Sequence, residues 1–262
     1  MRPVALSHRL QTVARMVTVG NPVCDVGCDH GFVPIFLVQQ GISPRVLAMD
    51  LREGPLRAAK EHVTAYGLEE QIETRLSDGL HNYGCGEADT LICAGMGGGL
   101  MMRILADDLK KTSSFRELVL QPQSEIEKFR RFLRENGCRI VDEEILEEEG
   151  KFYQIIRAEG FRGEAKRALD DGSKMRLADA LSDSDSDGCV TKSDLCKLED
   201  RYGPVLLRKK TSVFLSFLER EAAVYEEILS NLRERGLSEE KRSERYAQVE
   251  ALLRDNVRAR KR

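Results

Sequence analysis

The sequence predicts an α/β fold in which a mostly parallel sheet of seven strands ends in an antiparallel hairpin and a small helical domain follows. From Pro3 to about residue 159, short apolar runs alternate with amphipathic stretches, the pattern of a parallel sheet covered on both faces by helices. The last two runs have no helical stretch between them, which predicts a hairpin. From Pro204 onward the pattern is helical. We therefore predict domains at 1–160 and 204–262, joined by an acidic polar insertion or linker at 161–203.

The elements of the first domain follow from local patterns. A short helix precedes the sheet, because apolar residues recur at helical spacing behind the N-cap residue Ser7. Five strands follow, at about 22–26, 45–50, 71–76, 89–94 and 117–120. The helical stretches between them lie at about 31–40, 54–66, 98–110 and 124–135. Two further strands, 138–146 and 152–158, flank an acidic turn at 147–150. This layout is typical of Rossmann-like methyltransferases, whereas a plain dinucleotide-binding fold need not end in a hairpin.

The insertion at 161–203 supports two interpretations. It is rich in Asp and Ser, and six of its residues match the spacing of a calcium loop: Asp183, Asp185, Asp187, Gly188, Val190 and Asp194. However, Asp194 stands where such loops use a bidentate Glu, and Asp–Ser repeats are common in flexible linkers. A flexible linker and a weak Ca²⁺ site both remain open.

The helical tail predicts an antiparallel pair resembling a coiled coil. Apolar residues at alternating spacings of four and three form a seam, and the seam breaks at Gly236 and Ser238, a helix stop and an N-cap. The seam residues are Leu218, Ala222, Tyr225, Leu229, Leu232, Tyr246, Val249, Leu253 and Val257.

Charge makes the tail a candidate for phosphate contact. Residues 204–262 carry 14 Lys and Arg against 10 Asp and Glu, although the whole chain has a net charge of −3. The basic residues Arg208, Lys209 and Lys210, together with Arg258, Arg260, Lys261 and Arg262, are expected to lie free for phosphate. An ordinary solvated helix face has the same pattern.

Composition excludes several classes of protein. No apolar run approaches the roughly 20 residues of a membrane span. The seven cysteines are odd in number and form no CxxC pair, which argues against a disulfide framework and a zinc site and favours a reduced compartment. The start of the chain lacks the apolar region of a secretory signal. We expect a soluble cytoplasmic protein without membrane contact and with no evident obligate protein partner.

The clearest motif is Asp25-Val26-Gly27-Cys28-Asp29-His30-Gly31, where the first strand turns into the first helix. Gly27 allows close approach of a ligand, while a carboxylate at Asp25 is unlike a phosphate cradle. S-adenosylmethionine carries an ammonium group and no phosphate, so it suits this turn better than NAD does. A tight strand-to-helix turn without a ligand is the alternative.

Further candidates close the next strands. Asp50 ends the second strand, about 20 residues on, where an acid accepts the hydroxyls of a ribose. Asp78 and Gly79 follow the third strand and would lie beside the adenine ring, unless they form an ordinary turn. After the fourth strand, Gly95, Met96 and Gly97 open a glycine-rich wall against which a flat substrate could lie.

Several segments together resemble the bacterial tRNA (adenine-22-N1) methyltransferase family. They are LSHRLQTVA at 6–14, DVGCDHGFVP at 25–34, SDGL at 77–80, CAGMGG at 93–98, LVLQP at 118–122, ILEEEGKFYQII at 145–156 and GPVL at 203–206. The resemblance implies a cytosolic enzyme that uses S-adenosylmethionine to methylate N1 of an adenine in the D-arm of tRNA. The chain departs from the family pattern in the insertion at about 161–202.

For such a reaction, the residues indicate roles near the base and along the RNA. N1 of adenine has its own lone pair, so alignment is the main task, and Asp29 is the candidate to stabilise the positive charge that develops, with His30 as orienter. Alternatively, Asp29 caps the helix that follows the first strand. Arg9 is a second candidate for RNA contact. A methyltransferase of a small molecule or protein, and a non-catalytic ligand-binding or scaffold protein, are the competing functions.

Overall fold

The computed structural model describes residues 3–162, 192–234 and 239–261. Within these ranges, seven strands form one sheet. They are β1 (Val23–Val26), β2 (Val46–Asp50), β3 (Ile72–Leu76), β4 (Thr90–Met96), β5 (Glu117–Pro122), β6 (Arg139–Glu148) and β7 (Lys151–Glu159). The strand order is β3-β2-β1-β4-β5-β7-β6. The first five strands are parallel, and β7 runs antiparallel to both β5 and β6. The predicted fold class is confirmed.

The helices surround this sheet and extend beyond it. Those of the first domain are α1 (His8–Arg15), α2 (Phe32–Gln39), α3 (Glu53–Ala65), α4 (Gly98–Asp107), α5 (Leu109–Thr112) and α6 (Ile126–Glu135). The later ones are α7 (Lys192–Tyr202), α8 (Leu206–Lys209), α9 (Ser212–Glu234) and α10 (Glu239–Lys261). In the described ranges, no helix combines the length and apolar character needed to cross a lipid bilayer.

Two apolar cores cover the two faces of the sheet. One is built from α1, α2 and α3 against the strands, and the other from α4 and α6 against the opposite face. Strands β1, β2 and β5 are buried along their whole length, as expected for a sheet covered on both sides. The carboxyl ends of the parallel strands therefore meet at one edge, and the strand order reverses between β1 and β4.

Turn chemistry explains the hairpin. Strands β6 and β7 are joined by Glu149 and Gly150, whose φ angles are 52° and 75°. A two-residue turn with both φ angles positive matches the natural twist of an antiparallel pair.

The helix predicted at 98–110 is two helices in the structure. Asp108 leaves the helical conformation at φ −132°, which ends α4, and its side chain caps the short α5.

A helix lies at the end of the segment that was predicted to be a linker, 161–203. The last part of the supposed linker forms α7, which packs on α6, with the guanidinium of Arg134 3.0 and 2.7 Å from the two carboxylate oxygens of Asp200. Leu198 and Tyr202 of α7 join a third apolar core with residues of β6, α8, α9 and α10. The Asp–Ser composition concealed this helix, whose apolar residues are few. The possible calcium residues 183–190 lie outside the described residues, and Asp194 lies in the first turn of α7.

The antiparallel pair of α9 and α10 is confirmed, but one seam residue is wrong. Leu218, Ala222, Leu229 and Val249 are buried, whereas Val257 is 38% exposed. Asn256 is fully buried in its place and its Nδ2 donates to the carbonyl of Leu218 at 2.9 Å. The seam continues three residues after Leu253, at Asn256. Because Asn is polar, the apolar pattern of the sequence did not predict this position as part of the seam.

Candidate functional site

A cavity of about 540 Å³ lies at the carboxyl edge of the sheet, where the strand order reverses. The loops that follow β1, β2, β3 and β4 line it, together with α1 and α4. Ligands of open α/β sheets bind at this position. The cavity brings together residues that the sequence predicted separately: Arg9, Asp25, Gly27, Asp29, His30, Asp50, Asp78, Gly79, Gly95 and Met96.

The turn after β1 is tight and requires glycine. The amides of Gly27 and Cys28 both donate to the carbonyl of Met49, at 2.8 and 3.0 Å. Gly27 has φ 78°, and a Cβ there would collide with the terminal methyl of Met96. The backbone conformation therefore favours glycine here, and a larger residue would also require the flexible end of Met96 to move.

Asp50 is the best-held acid of the site. Its side chain is buried, with Oδ2 accepting the amide of Asp29 at 3.2 Å and Oδ1 accepting the amide of Arg52 at 2.9 Å. An ionised carboxylate has about four acceptor positions, so two donors leave capacity for ligand hydroxyls. The two backbone bonds orient the carboxylate for that task.

Asp25 is buried at the same edge, one strand away. Its burial, together with the nearby charge of Asp50, raises the pKa of Asp25 to about 7. Ionisation of a buried carboxyl is favoured by a cation, and an ammonium group of a ligand would supply one. The arrangement suits a ligand that combines hydroxyl groups with an ammonium.

Asp78 and Gly79 line the cavity beyond β3. Ser77 links this loop to β2, since its amide donates to the carbonyl of Asp50 at 2.9 Å and its hydroxyl donates to that of Gly79 at 2.9 Å. Two apolar residues on the cavity wall are unusually exposed, Leu51 at 61% and Leu100 at 40%. Exposed apolar side chains in a cavity favour a flat apolar ligand such as a purine ring.

Asp29 and His30 stand at the mouth of the cavity. Asp29 is not the N-cap of α2, since Gly31 holds that position. Asp29 instead has φ 51°, a left-handed conformation that is uncommon outside glycine. Its Oδ1 lies 3.8 Å from His30 Nε2 and 3.9 Å from Arg52 Nη2. Both distances are longer than a hydrogen bond, so His30 does not orient Asp29 by a hydrogen bond here.

Of the glycine-rich wall, only part faces the cavity. Gly95 and Met96 line it, and the amide of Gly95 donates to Gln121 Oε1 at 3.1 Å. Gly97 is instead the N-cap of α4 and packs against the side chain of Ser124. Gly97 is not among the residues that line the cavity, and its predicted cofactor contact stays a prediction.

The basic residues differ in whether an acidic side chain lies next to them. Arg9 lines the cavity, with Nη1 2.7 Å from Gln121 Oε1. Lys209 does not lie free for phosphate as expected, since its Nζ is 2.7 Å from Asp142 Oδ1 and also pairs with Glu144. Arg208 is exposed and Lys210 half-buried. At the end of α10, Arg258 pairs with Asp255 and Arg260 with Glu219, which corrects the same expectation for these two arginines.

Sequence reasoning missed four residues at the cavity. Leu51, Arg52 and Ser77 line it, and Gln121 accepts hydrogen bonds from Arg9 and Gly95. The motif SDGL contains Ser77, and its hydroxyl beside the strand end could have identified Ser77 from the sequence.

The cysteines of the sheet belong to the core. Cys24, Cys28 and Cys93 are buried, and their burial raises the pKa of each thiol. In the described part of the chain no group of His, Cys, Asp and Glu could hold a metal ion.

Comparison with known proteins agrees with this geometry. Residues 6–156 match the family model described as a methyltransferase domain. The tRNA (adenine(22)-N(1))-methyltransferase of Bacillus subtilis (strain 168) is 32% identical over 232 residues, 87% of each chain. The crystal structure of the B. subtilis M1A22 tRNA methyltransferase TrmK is similar with a TM-score of 0.76 at 28% identity, covering 97% of this chain and 98% of that one. Streptococcus pneumoniae Sp1610 in complex with S-adenosyl-L-methionine has a TM-score of 0.72 at 30% identity, covering 95% of this chain and 100% of that one. This chain therefore belongs to the family of tRNA (adenine(22)-N(1))-methyltransferases.

Proposed function

We propose that this chain transfers the methyl group of S-adenosylmethionine to N1 of adenine-22 in the D-arm of tRNA. The observation that carries the proposal is the meeting of buried Asp50, buried Asp25 and the Gly27 turn in one cavity. Together they match the hydroxyls, the ammonium and the close approach of this cofactor. The family membership identifies the RNA substrate.

The cavity residues fit the cofactor group by group. Asp50 would accept the ribose hydroxyls, Leu51 and Asp78 would lie beside the adenine, and Asp25 would face the ammonium. When bound, S-adenosylmethionine supplies a methyl group activated by its positively charged sulfur. The protein's own contribution is to hold the target base in line and to exclude competing nucleophiles.

Asp29 is the residue that we assign to the target base. N1 needs no base catalyst, but the ring becomes positive once N1 is methylated, and a carboxylate nearby stabilises that charge. Asp29 stands at the cavity mouth with its side chain 60% exposed, so it can be reached from outside. Its left-handed backbone is the kind of strain that persists at functional sites. Because N1 lies on the pairing edge, the base must also leave its stack.

The test is methyl transfer from labelled S-adenosylmethionine into a tRNA transcript with adenine at position 22. Matched transcripts with guanine at 22 serve as control, and a methyl on N1 is mapped by the stop that it causes in primer extension. We expect label and stop only with the adenine transcript. In a parallel reaction with bulk cellular tRNA, protein and metabolites, label in the protein or metabolite fraction with none in tRNA would support the competing methyltransferases.

Contact with the RNA beyond the target base is assigned to the exposed tail residue Arg208, with Lys210 beside it. A tRNA is far larger than the cavity, so further contacts are required. Lys209 is left out because the acids of β6 occupy it. A tRNA substrate is met in the cytosol, and a cytoplasmic location is therefore part of the proposal.

A further inference from the structure

We propose that Arg9 binds the α-carboxylate at the methionine end of S-adenosylmethionine, opposite the acid Asp25 that would face the ammonium. This inference rests on the proposed function for the identity of the cofactor. It moves Arg9 from RNA contact, its role in the sequence prediction, to recognition of an amino-acid zwitterion.

The guanidinium of Arg9 is held firmly at the cavity wall. Its Nη1 donates to Gln121 Oε1 at 2.7 Å, and the same oxygen accepts the amide of Gly95 at 3.1 Å. Gln121 is fully buried, and its Nε2 donates to the carbonyl of Pro122 at 3.3 Å. The ring of Tyr153 lies 5.3 Å from the guanidinium carbon. These contacts set the position of the charge next to Gly95 before any ligand binds.

The charge of Arg9 is not neutralised by its partners. The oxygen of Gln121 and the ring of Tyr153 are both neutral, and no ion pair of this guanidinium occurs in the described ranges of the chain. Glu148 comes near α1, but its carboxylate accepts the backbone amide of Arg9 at 2.8 Å. A guanidinium has five N–H donors in a fork that suits a carboxylate. A half-buried cation with spare donors in a cavity favours an anionic ligand group.

The strand order indicates which end of the cofactor reaches this cation. Asp50 on β2 and Asp78 after β3 would hold the nucleoside, so the amino-acid end must extend towards β1 and β4. Val26 of β1 pairs with Cys93 of β4, which places Gly27 and Gly95 on adjacent strand ends. Arg9 beside Gly95 and Asp25 just before Gly27 thus line the same end of the cavity.

The test compares ligands with and without the amino-acid group. Isothermal titration calorimetry of wild type and Arg9→Ala would use S-adenosylmethionine, S-adenosylhomocysteine and 5′-methylthioadenosine, which lacks the carboxylate and ammonium. We expect Arg9→Ala to weaken binding of the first two by about 10- to 100-fold, the usual effect of losing a charged hydrogen bond. Binding of 5′-methylthioadenosine should be unchanged, and that result also shows that the variant is folded.

Controls separate charge, fold and function. Arg15→Ala, an exposed arginine of the same helix, should bind all three ligands like wild type. Arg9→Gln, which keeps a donor for Gln121 without the charge, should lose affinity like Arg9→Ala, and it decides the matter if Arg9→Ala does not fold. If the Arg9 variants bind S-adenosylmethionine normally but raise the KM for tRNA, Arg9 contacts an RNA phosphate and the inference is overturned. Equal loss for all three ligands would also overturn it. If the wild type methylates tRNA and the Arg9 variants bind all three ligands normally, the proposed function stands and only the inference about Arg9 is overturned. If the wild type fails to bind S-adenosylmethionine, the proposed function and the inference are both overturned.

Discussion

Asp29 combines an exposed carboxylate with a backbone conformation that few residues tolerate. Its amide, not its side chain, donates to Asp50, so the carboxylate can be changed without removing that bond. Asn tolerates the left-handed conformation and is neutral. We predict that Asp29→Asn lowers kcat for tRNA methylation by about 10- to 100-fold, because charge on the methylated ring loses its partner.

The control for Asp29 is the affinity for S-adenosylmethionine, measured by calorimetry. It should stay within about twofold of wild type if the carboxylate acts on the base. A parallel loss of cofactor affinity would reassign Asp29 to the cofactor.

If Asp25 faces the ammonium of the cofactor, as we propose, cofactor binding depends on pH. Its pKa of about 7 means that the carboxyl is mostly protonated at pH 6, and an ammonium ligand requires the ionised form. We predict that the affinity for S-adenosylmethionine rises between pH 5.5 and 7.5, by up to about tenfold per unit below the pKa. Asp25→Asn should bind weakly with little pH dependence over this range. A wild-type affinity that does not vary with pH would contradict the role of Asp25.

The same residue affects the stability of the ligand-free protein with the opposite trend. The pKa of Asp25 is raised on folding from about 3.9, so the folded state binds the extra proton between pH 4 and 7. Its contribution to stability is present below pH 4 and is lost as the pH rises to 7. We predict that Asp25→Asn raises the free energy of urea unfolding at pH 8 and has little effect at pH 4. Destabilisation at pH 8 would show that the ionised carboxylate is well solvated.

At the scale of elements, a buried ion pair joins the helical tail to the sheet. Arg130 of α6 and Glu143 of β6 are both buried, with Nε 2.8 Å from Oε1. Glu143 Oε2 accepts the amide of Val205 at 2.8 Å, and Arg130 Nη1 donates to the carbonyl of Arg201 at 3.0 Å. A Cβ on Gly203 would come within 2.5 Å of the Glu143 carboxylate. The backbone between α7 and α8 can therefore pass this carboxylate only with glycine at position 203.

This pair predicts a large loss when one partner is removed. Glu143→Ala leaves Arg130 buried without a counter-ion and should lower the free energy of unfolding by about 3–5 kcal/mol. Urea denaturation would measure it. The double variant Arg130→Met, Glu143→Leu removes both charges and should recover part of the loss. A double variant no more stable than Glu143→Ala would show that the lost backbone bonds of Glu143, and not the charge left on Arg130, cause the loss.

Asn256 shows a second polar device within the helix pair. Its Nδ2 donates to the carbonyl of Leu218 and, at 2.9 Å, to Glu221 Oε2. Glu221 also accepts the hydroxyl of Tyr202 at 2.6 Å, so the network links α7, α9 and α10. A buried Asn at a seam position sets the register of paired helices. The network explains why one polar residue interrupts an apolar seam.

At the scale of the whole molecule, the tail residues differ in what they contact. Arg208 is exposed, whereas Lys209 binds the acids of β6. We predict that Arg208→Ala weakens tRNA binding across sequences and lowers the slope of log affinity against log salt by about one. Lys209→Ala, the matched control, should leave that slope unchanged and cost under about 1 kcal/mol of stability. Filter binding at several salt concentrations would measure both. Identical slopes for wild type and Arg208→Ala would assign the tail to stability instead.

Local patterns in the sequence were sufficient to predict the architecture. Strand and helix periods located the elements of the sheet, and the acidic turn ending at Gly150 identified the hairpin. Asp25, Gly27 and Asp50 could be predicted to lie together because they stand at the carboxyl ends of strands that share one edge of a parallel sheet, and all three line the cavity. These properties depend on neighbours within a few residues and on a general rule for such folds.

Tertiary structure decided the partners of each charge. Arg9 and Gln121 are 112 residues apart in the chain, and Lys209 meets Glu144 across 65 residues. No local pattern shows whether a basic residue will meet an acid, a neutral amide or solvent. The same holds for Gly97, which is the N-cap of α4 and does not line the cavity, and for Asn256, which is buried because helices pack by position and not by polarity. The sequence by itself thus determined the fold and the edge of the sheet that carries the cavity, because periodicity and turns are local. The partners of each charged group were decided by which distant segments the fold brings together.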